Sequence, residues 1–292
     1  MIVRMEDIDS PRVKRGAAEQ ALEDLRWLGL DWDEGPDLGG PHAPYVQTQR
    51  LALYENALGQ LKAAERIYPC TCTRSDVADA ASAPHAGQEG PVYPGTCASR
   101  RVTDAAILAR SASEGIGRTY CWRFRATNTA RHFDDLAAGP QTCNVAVELG
   151  DFVVAKADGS PAYQLAVVVD DHAMGVTEVL RGDDLLPSAF RQLELYDFFD
   201  WIPPRLAHVP LVVGPDGRRL AKRHGDTRLA TLRAAGVSAE RLVGLLAWSC
   251  GLIEKAEPVT PRDLLVGFDL KKMPREKWIL TDEHLRWLLQ KN

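Results

Sequence analysis

The chain has 292 residues, of which 45% are hydrophobic and 26% charged, and its formal net charge is −5. That length suffices for one large or two to three small cores, and the composition is ordinary for a soluble globular protein. The acidic balance excludes a protein that coats nucleic acid through bulk charge, but it leaves local basic faces at Arg100 and Arg101, residues 218–223 and residues 271–277. The longest apolar runs are far short of a membrane span, and the start MIVRMEDID has no apolar leader core. The chain is therefore read as cytoplasmic, with no membrane partner. Six cysteines spread along it fit a reducing compartment, where clustered ones point to metal ligands rather than disulfides.

In chain order, residues 1–6 predict a short strand that ends in the acidic group Glu6, Asp7 and Asp9. Ser10-Pro11 reads as a helix cap followed by proline, and Val13, Ala17, Ala21, Leu25 and Leu28 recur at helical spacing, predicting a helix over 10–28. Leu51, Tyr54, Leu58 and Leu61 predict a second helix over 46–66. Composition changes at Pro69: cysteines appear, and residues 79–95 are rich in Ala, Gly and Pro, as in an irregular loop. A helix over 103–114 and strands around residues 120–125 and 145–149 follow, as expected of a module inserted into a sheet domain that resumes near 151. The run Ala166-Val167-Val168-Val169 predicts a strand buried on both faces, with Asp170-Asp171 at its carboxyl end, where open α/β sheets bind ligands. A strand over 176–180 would deliver Arg181 to the same edge. The turn Gly214-Pro215-Asp216-Gly217 leads into a cationic loop, and the remainder is helical: 227–235, 238–253, 261–266 and 282–290.

Several residues carry chemistry. Cys70-Thr71-Cys72 offers two thiolates from one tight turn, and zinc asks for about four N, S or O ligands in a tetrahedron. Tyr93 and Cys97 flank a Pro-Gly turn that can fold back, and His85 and Cys121 are alternative donors; otherwise these cysteines are small buried residues. Asp7 and Asp9 are best explained as favourable charges at a helix start. Tyr163 could be an ordinary strand aromatic, and Arg181 half of a surface ion pair with Asp183 or Asp184; yet a guanidinium is the preferred bidentate partner of a carboxylate. Lys222 lies in a basic run that is either solvated or a polyphosphate clamp.

Residues 151–186, Arg4-Met5-Glu6-Asp7-Ile8-Asp9 and Arg219-Leu220-Ala221-Lys222-Arg223 together resemble the class I glutamyl-tRNA synthetases. The last segment is similar to a degenerate form of the Lys-x-Ser-Lys loop, with Arg219 for the first lysine and Ala221 for the serine. The resemblance implies an α/β fold: a Rossmann-like parallel sheet with an inserted zinc-bearing α+β module and a small C-terminal helical domain. The implied division is 1–69 and 151–205 for the two parts of the catalytic domain, 70–150 for the nucleic-acid-contacting module, and 206–292 for the lysine loop and stem-contact helices. It further implies that Glu6 takes the ammonium of L-glutamate, Tyr163 lines the substrate, Arg181 takes the side-chain carboxylate, and Lys222 is the catalytic group on ATP, with Mg2+. One structural zinc on Cys70, Cys72, Tyr93 and Cys97 is implied as well. The His-x-Gly-His signature and the first strand of the family are expected upstream of Arg4, where this sequence has only three residues, so the 292-residue form is expected to show little activity. Only residues 226–292 follow the lysine loop, which is too short for an anticodon-binding region. Within the family the resemblance is therefore to the glutamyl-Q tRNA(Asp) synthetase branch. That branch implies a monomer that activates glutamate without tRNA and transfers it to the queuosine base of tRNA(Asp). The alternatives are a truncated glutamyl-tRNA synthetase charging tRNA(Glu), and a non-catalytic tRNA-binding paralogue.

Overall fold

The protein is described by a computed structural model over residues 1–8, 13–80, 91–220 and 228–290. The main core is built around helix α5 (Tyr163–Ala173), whose residues from Leu165 to Asp171 are all buried. This corrects the expectation of a strand over 166–169. A helix buried on every side shows no amphipathic period, and a short apolar run then looks the same in either conformation. Tertiary burial outweighs the weak helix propensity of three consecutive valines. Met174 N–H closes the helix on Asp170 O at 2.8 Å, and Gly175 follows with φ 62°.

Around α5 pack α2 (Leu51–Ala63), through Tyr54, Ala57 and Leu61, and α6 (Leu186–Phe199), through Phe190, Leu195 and Tyr196. A three-stranded antiparallel sheet of β1 (Ile67–Cys70), β2 (Cys121–Phe124) and β5 (Phe152–Ala155), ordered β1-β2-β5, covers the same core. The longer parallel pair is β6 (Glu178–Gly182) with β7 (Arg205–Val209), joined through α6, with Arg181 directly opposite His208. Residues 1–6 do not form a strand of that sheet. They run extended, tied by single parallel bridges from Ile2 to Glu34 and from Met5 to Val46.

The helix expected from residue 10 begins at Ala17 as α1 (Ala17–Trp27), preceded by Gly16 at φ 80°; the Ser10-Pro11 cap lies outside the described residues. Before the loop, Arg74–Ala80 forms α3, and Asp104–Ser113 forms α4, as the 103–114 spacing predicted. The strand expected at 145–149 is a π-helical turn, capped by Asn144, whose side chain accepts from Val147 N–H. Just before it lies a hairpin, β3 (Ala130–Asp135) and β4 (Gly139–Asn144), which polar alternation concealed. The hairpin docks on β7, with Leu136 N–H donating to Leu206 O at 2.8 Å. The C-terminal part holds α7 (Leu229–Ala234), α8 (Ala239–Ser249) and α9 (Asp282–Leu289) around Leu232, Leu245 and Leu288. It also holds a short parallel pair, β8 (Val212–Val213) with β9 (Trp278–Ile279), that helical periodicity did not predict. No described helix is long and apolar enough to cross a membrane.

Candidate functional site

The register of β6 on β7 sets Arg181 beside His208, and Arg181 Nε donates to His208 Nε2 at 2.9 Å. An arginine offers donors only, so this imidazole nitrogen is the acceptor and the ring proton sits on Nδ1. That Nδ1–H points at Asp135 Oδ2, 2.6 Å away. Burial pushes His208 below its ordinary value, which keeps the ring neutral. Asp135 is fully buried too. Burial works against its charge, but N–H groups of Ala138, His208 and Ala137 and the His208 ring hold its carboxyl below the usual range. Arg181 Nη1 reaches the Tyr163 hydroxyl at 3.5 Å, and Nη2 is buried with no hydrogen-bond partner among the described residues. Arg181 is therefore not spent on Asp183 or Asp184; Asp184 instead pairs with Arg219 at 3.0 Å.

Tyr163, the first residue of α5, lines two neighbouring clefts of about 650 Å3 each. One holds Arg4, Asp171 and Arg181, the other Glu6, Gln47, Lys156 and, at its far wall, Cys72 and Arg123. Burial pushes the Tyr163 phenol up, so it stays neutral between the two charges. Glu6 accepts from Arg4 Nη2 at 3.0 Å, and Arg4 Nη1 donates to Asp171 at 2.8 Å. Although burial works against the Arg4 charge, Asp171, Glu6 and Asp170 push its pKa further up. Asp170, with no exposed surface, accepts from Arg50 Nε at 2.7 Å, Gln47 Nε2 at 2.9 Å and Tyr54 hydroxyl at 2.8 Å. Asp170 and Asp171 thus tie Arg4 and the start of α2 to α5; Asp170 is wholly internal, while Asp171 also lines the cleft beside Arg181. A carboxylate at Glu6 and a guanidinium nitrogen at Arg181, on either side of a neutral phenol, suit a small molecule bearing both an ammonium and a carboxylate. Lys222 and Ala221 lie outside the described residues.

The sulfur atoms of Cys70, Cys72 and Cys97 lie within 4.8 Å of one another, a group that could hold a metal ion. Cys72 and Cys97 are 3.7 Å apart, and the Tyr93 oxygen is 3.4 Å from Cys70 and 3.9 Å from Cys72. Ligand distances of about 2.3 Å for sulfur and about 2.0–2.2 Å for oxygen put the corners of a tetrahedral zinc site about 3.5–3.8 Å apart. These residues fit such an ion. Cys97 N–H donates to the phenol oxygen at 2.8 Å, and the Arg123 guanidinium lies 3.9 Å over the Tyr93 ring while its Nε donates to Cys70 Sγ at 3.3 Å. Gly150, at φ 70°, presses on the Tyr93 backbone so closely that a β-carbon would lie 3.0 Å from its N and O atoms. Hydrogen bonds from Cys121, Tyr93 and Arg123, against burial, pull Cys70 down to about 4, and burial beside that charge pushes Cys72 up to about 11. Cys121 faces Cys70 across β1 and β2 but is outside the three-thiol group, and His85 lies outside the described residues.

Sequence reasoning missed Asp135, His208, Arg4 and Arg50. The one available signal was His208, a lone polar residue in the apolar run Leu206-Ala207-His208-Val209.

Residues 1–287 match the family described as tRNA synthetases class I (E and Q), catalytic domain. The chain is 54% identical over 276 residues to the glutamyl-Q tRNA(Asp) synthetase of Symbiobacterium thermophilum, covering 94% of this chain and 84% of that one. It is 46% identical over 284 residues to the glutamyl-Q tRNA(Asp) synthetase of Rhodopirellula baltica, covering 96% and 83%. Among solved structures, the glutamate-tRNA synthetase of Elizabethkingia anophelis superposes with a TM-score of 0.78 at 28% identity. That match covers 98% of this chain but spans only 62% of the solved chain. The match along nearly the whole sequence leads to one conclusion: the chain belongs to the class I tRNA synthetase catalytic-domain family of the E and Q type.

Proposed function

We propose that the chain is a ligase that activates L-glutamate with ATP and Mg2+ in the absence of tRNA and passes glutamate to the queuosine base of tRNA(Asp). The observation that carries this reading is Arg181, whose buried Nη2 has no partner among the described residues and lies beside Tyr163. Arg181 takes the side-chain carboxylate of glutamate, Glu6 its ammonium, and Tyr163 lines the space between them. Lys222 stabilises the charge that develops on the transferring phosphates. The relatives named for glutamyl-Q tRNA(Asp) synthesis, at 54% and 46% identity, support the choice of acceptor. The same reading divides the chain into a catalytic part (1–69 and 151–205), a nucleic-acid-contacting module (70–150) and a lysine-loop and stem-contact part (206–292), acting as a cytoplasmic monomer. In a chain that carries the His-x-Gly-His segment expected upstream of Arg4, glutamate-dependent ATP–pyrophosphate exchange is expected without tRNA, followed by transfer to queuosine-bearing tRNA(Asp). Charging of tRNA(Glu) at its 3′ end would replace this reading with that of a glutamyl-tRNA synthetase.

We also infer one structural zinc on Cys70, Cys72, Tyr93 and Cys97. The convergence of the three thiols within 4.8 Å and the Tyr93 oxygen 3.4 Å from Cys70 support it. When bound, such an ion joins residues 70–72 to 93–97 and contributes directly to folding. Arg123, donating to Cys70, offsets the surplus negative charge of three thiolates. Protein purified without chelator is expected to contain one zinc per chain. The Cys97→Ser variant is expected to lose it, with hydrogen exchange rising in residues 70–100 before the core around α5. Full zinc retention in that variant would remove Cys97 from the ligand set.

A further inference from the structure

We propose that Asp135 and His208 are positioning residues for glutamate binding: they hold Arg181 in the one orientation that leaves its Nη2 free. The inference rests on the reading of Arg181 above and extends it to two residues remote in sequence. Asp135 Oδ1 accepts three backbone N–H groups, from Ala137 at 3.0 Å, Ala138 at 2.8 Å and His208 at 2.9 Å. Oδ2 is left to the His208 ring. The carboxylate is thus fixed by the β3–β4 turn and by β7 together, and it fixes the ring in turn. The ring's other nitrogen receives neither backbone nor solvent. It receives Arg181 Nε.

A buried histidine–aspartate pair is often only a way to satisfy two polar groups. Three details go further here. A neutral acceptor steers the guanidinium without cancelling its charge, where a carboxylate in the same place would form an ion pair and compete with a ligand carboxylate. The Nε bond sets the plane of the guanidinium fork, and bidentate capture depends on that plane. Finally, Nη1 reaches Tyr163 only at 3.5 Å, so the Nε bond is the shorter restraint on the head group.

The Asp135→Asn variant separates positioning from simple packing. Asn keeps the oxygen that caps Ala137, Ala138 and His208 and replaces Oδ2 with an amide donor. His208 Nδ1 must then accept, so its proton moves to Nε2 and faces the Arg181 Nε–H, donor against donor. Long-range 1H–15N spectra of the ligand-free protein are expected to show the Nδ1–H tautomer in wild type and the Nε2–H tautomer in Asp135→Asn. The KM for glutamate is expected to rise by up to about 10²-fold, the scale of an ångström-level misplacement, with KM for ATP and thermal stability little changed. His208→Phe, which removes the acceptor altogether, is expected to do the same to KM for glutamate. An unaltered tautomer, or glutamate KM values within about threefold of wild type in both variants, would overturn the inference. Arg181→Ala is the control for the underlying reading. If it leaves glutamate KM unchanged, the pocket itself is misassigned and the positioning role falls with it. If it abolishes glutamate use while both other variants behave as wild type, only the positioning role falls.

Discussion

The two clefts that share Tyr163 are built on opposite electrostatic plans. On the Arg181 side the cation is steered by a neutral ring and makes no ion pair among the described residues; on the Glu6 side the anion is already paired with Arg4 and its side chain is 37% exposed. In the proposed reading the first side holds its charge in reserve for a ligand. The second shares its charge between Arg4, solvent and whatever binds, so each partner gains less. Selectivity for a carboxylate should therefore reside mostly at Arg181, although both residues touch the same small molecule in the proposed complex.

The sharpest way to break this comparison is Arg181→Ala. Loss of a buried charged partner is worth about 4 kcal/mol, or roughly 10³-fold in KM for glutamate, with ATP binding preserved. Glutamate titrations by calorimetry or exchange kinetics check it, and an effect no larger than that of a Glu6 variant would erase the asymmetry. Next comes Arg4→Ala, which acts on stability more than on affinity. It leaves Asp171, buried in α5, without its Arg4 hydrogen bond, at a cost of about 3 kcal/mol in urea unfolding.

Acid sharpens the comparison at intermediate size. His208 has a lower pKa folded than unfolded, so the unfolded chain binds its proton first. The contribution of the neutral ring is complete above about pH 6.5 and is lost as pH falls below it. Stability is therefore expected to fall as pH is lowered from 7.5 towards 5.5, and His208→Phe should remove that slope from a stability-versus-pH series. The smallest effect belongs to Glu6→Gln. A half-exposed pair is worth little, so KM for glutamate is expected to rise about fivefold or less.

What the sequence revealed and what it concealed follow from the range of the interactions. The Cys70, Cys72, Tyr93 and Cys97 donors are legible because two short motifs carry them, and α4 and α8 are legible because one face of each is apolar at helical spacing. Tyr163 and Arg181 were singled out through an extended family stretch, and the structure brings them within 3.5 Å, although α5 was misread as a strand because burial on all sides erases the period that separates helix from strand. Asp135 left no local trace, and His208 only the break it makes in an apolar run: they are 73 positions apart and meet only when the β3–β4 hairpin docks on β7. Asp170 and Asp171 were expected at a ligand edge; Asp171 lines a cleft, and only the partners Arg4, Arg50, Gln47 and Tyr54 reveal the tie that the two make. Lys222 belongs to residues outside those described.

The 73-residue span between Asp135 and His208 also bears on the order of assembly. During synthesis the hairpin emerges well before β7, and contacts of such separation form late because chain closure must precede them. Until β7 is paired with β6, the guanidinium has neither its strand partner nor its ring. Substrate capture is in this sense a report of completed folding, and a nascent or partly unravelled chain has no means of sequestering the amino acid before the rest of the enzyme exists to use it.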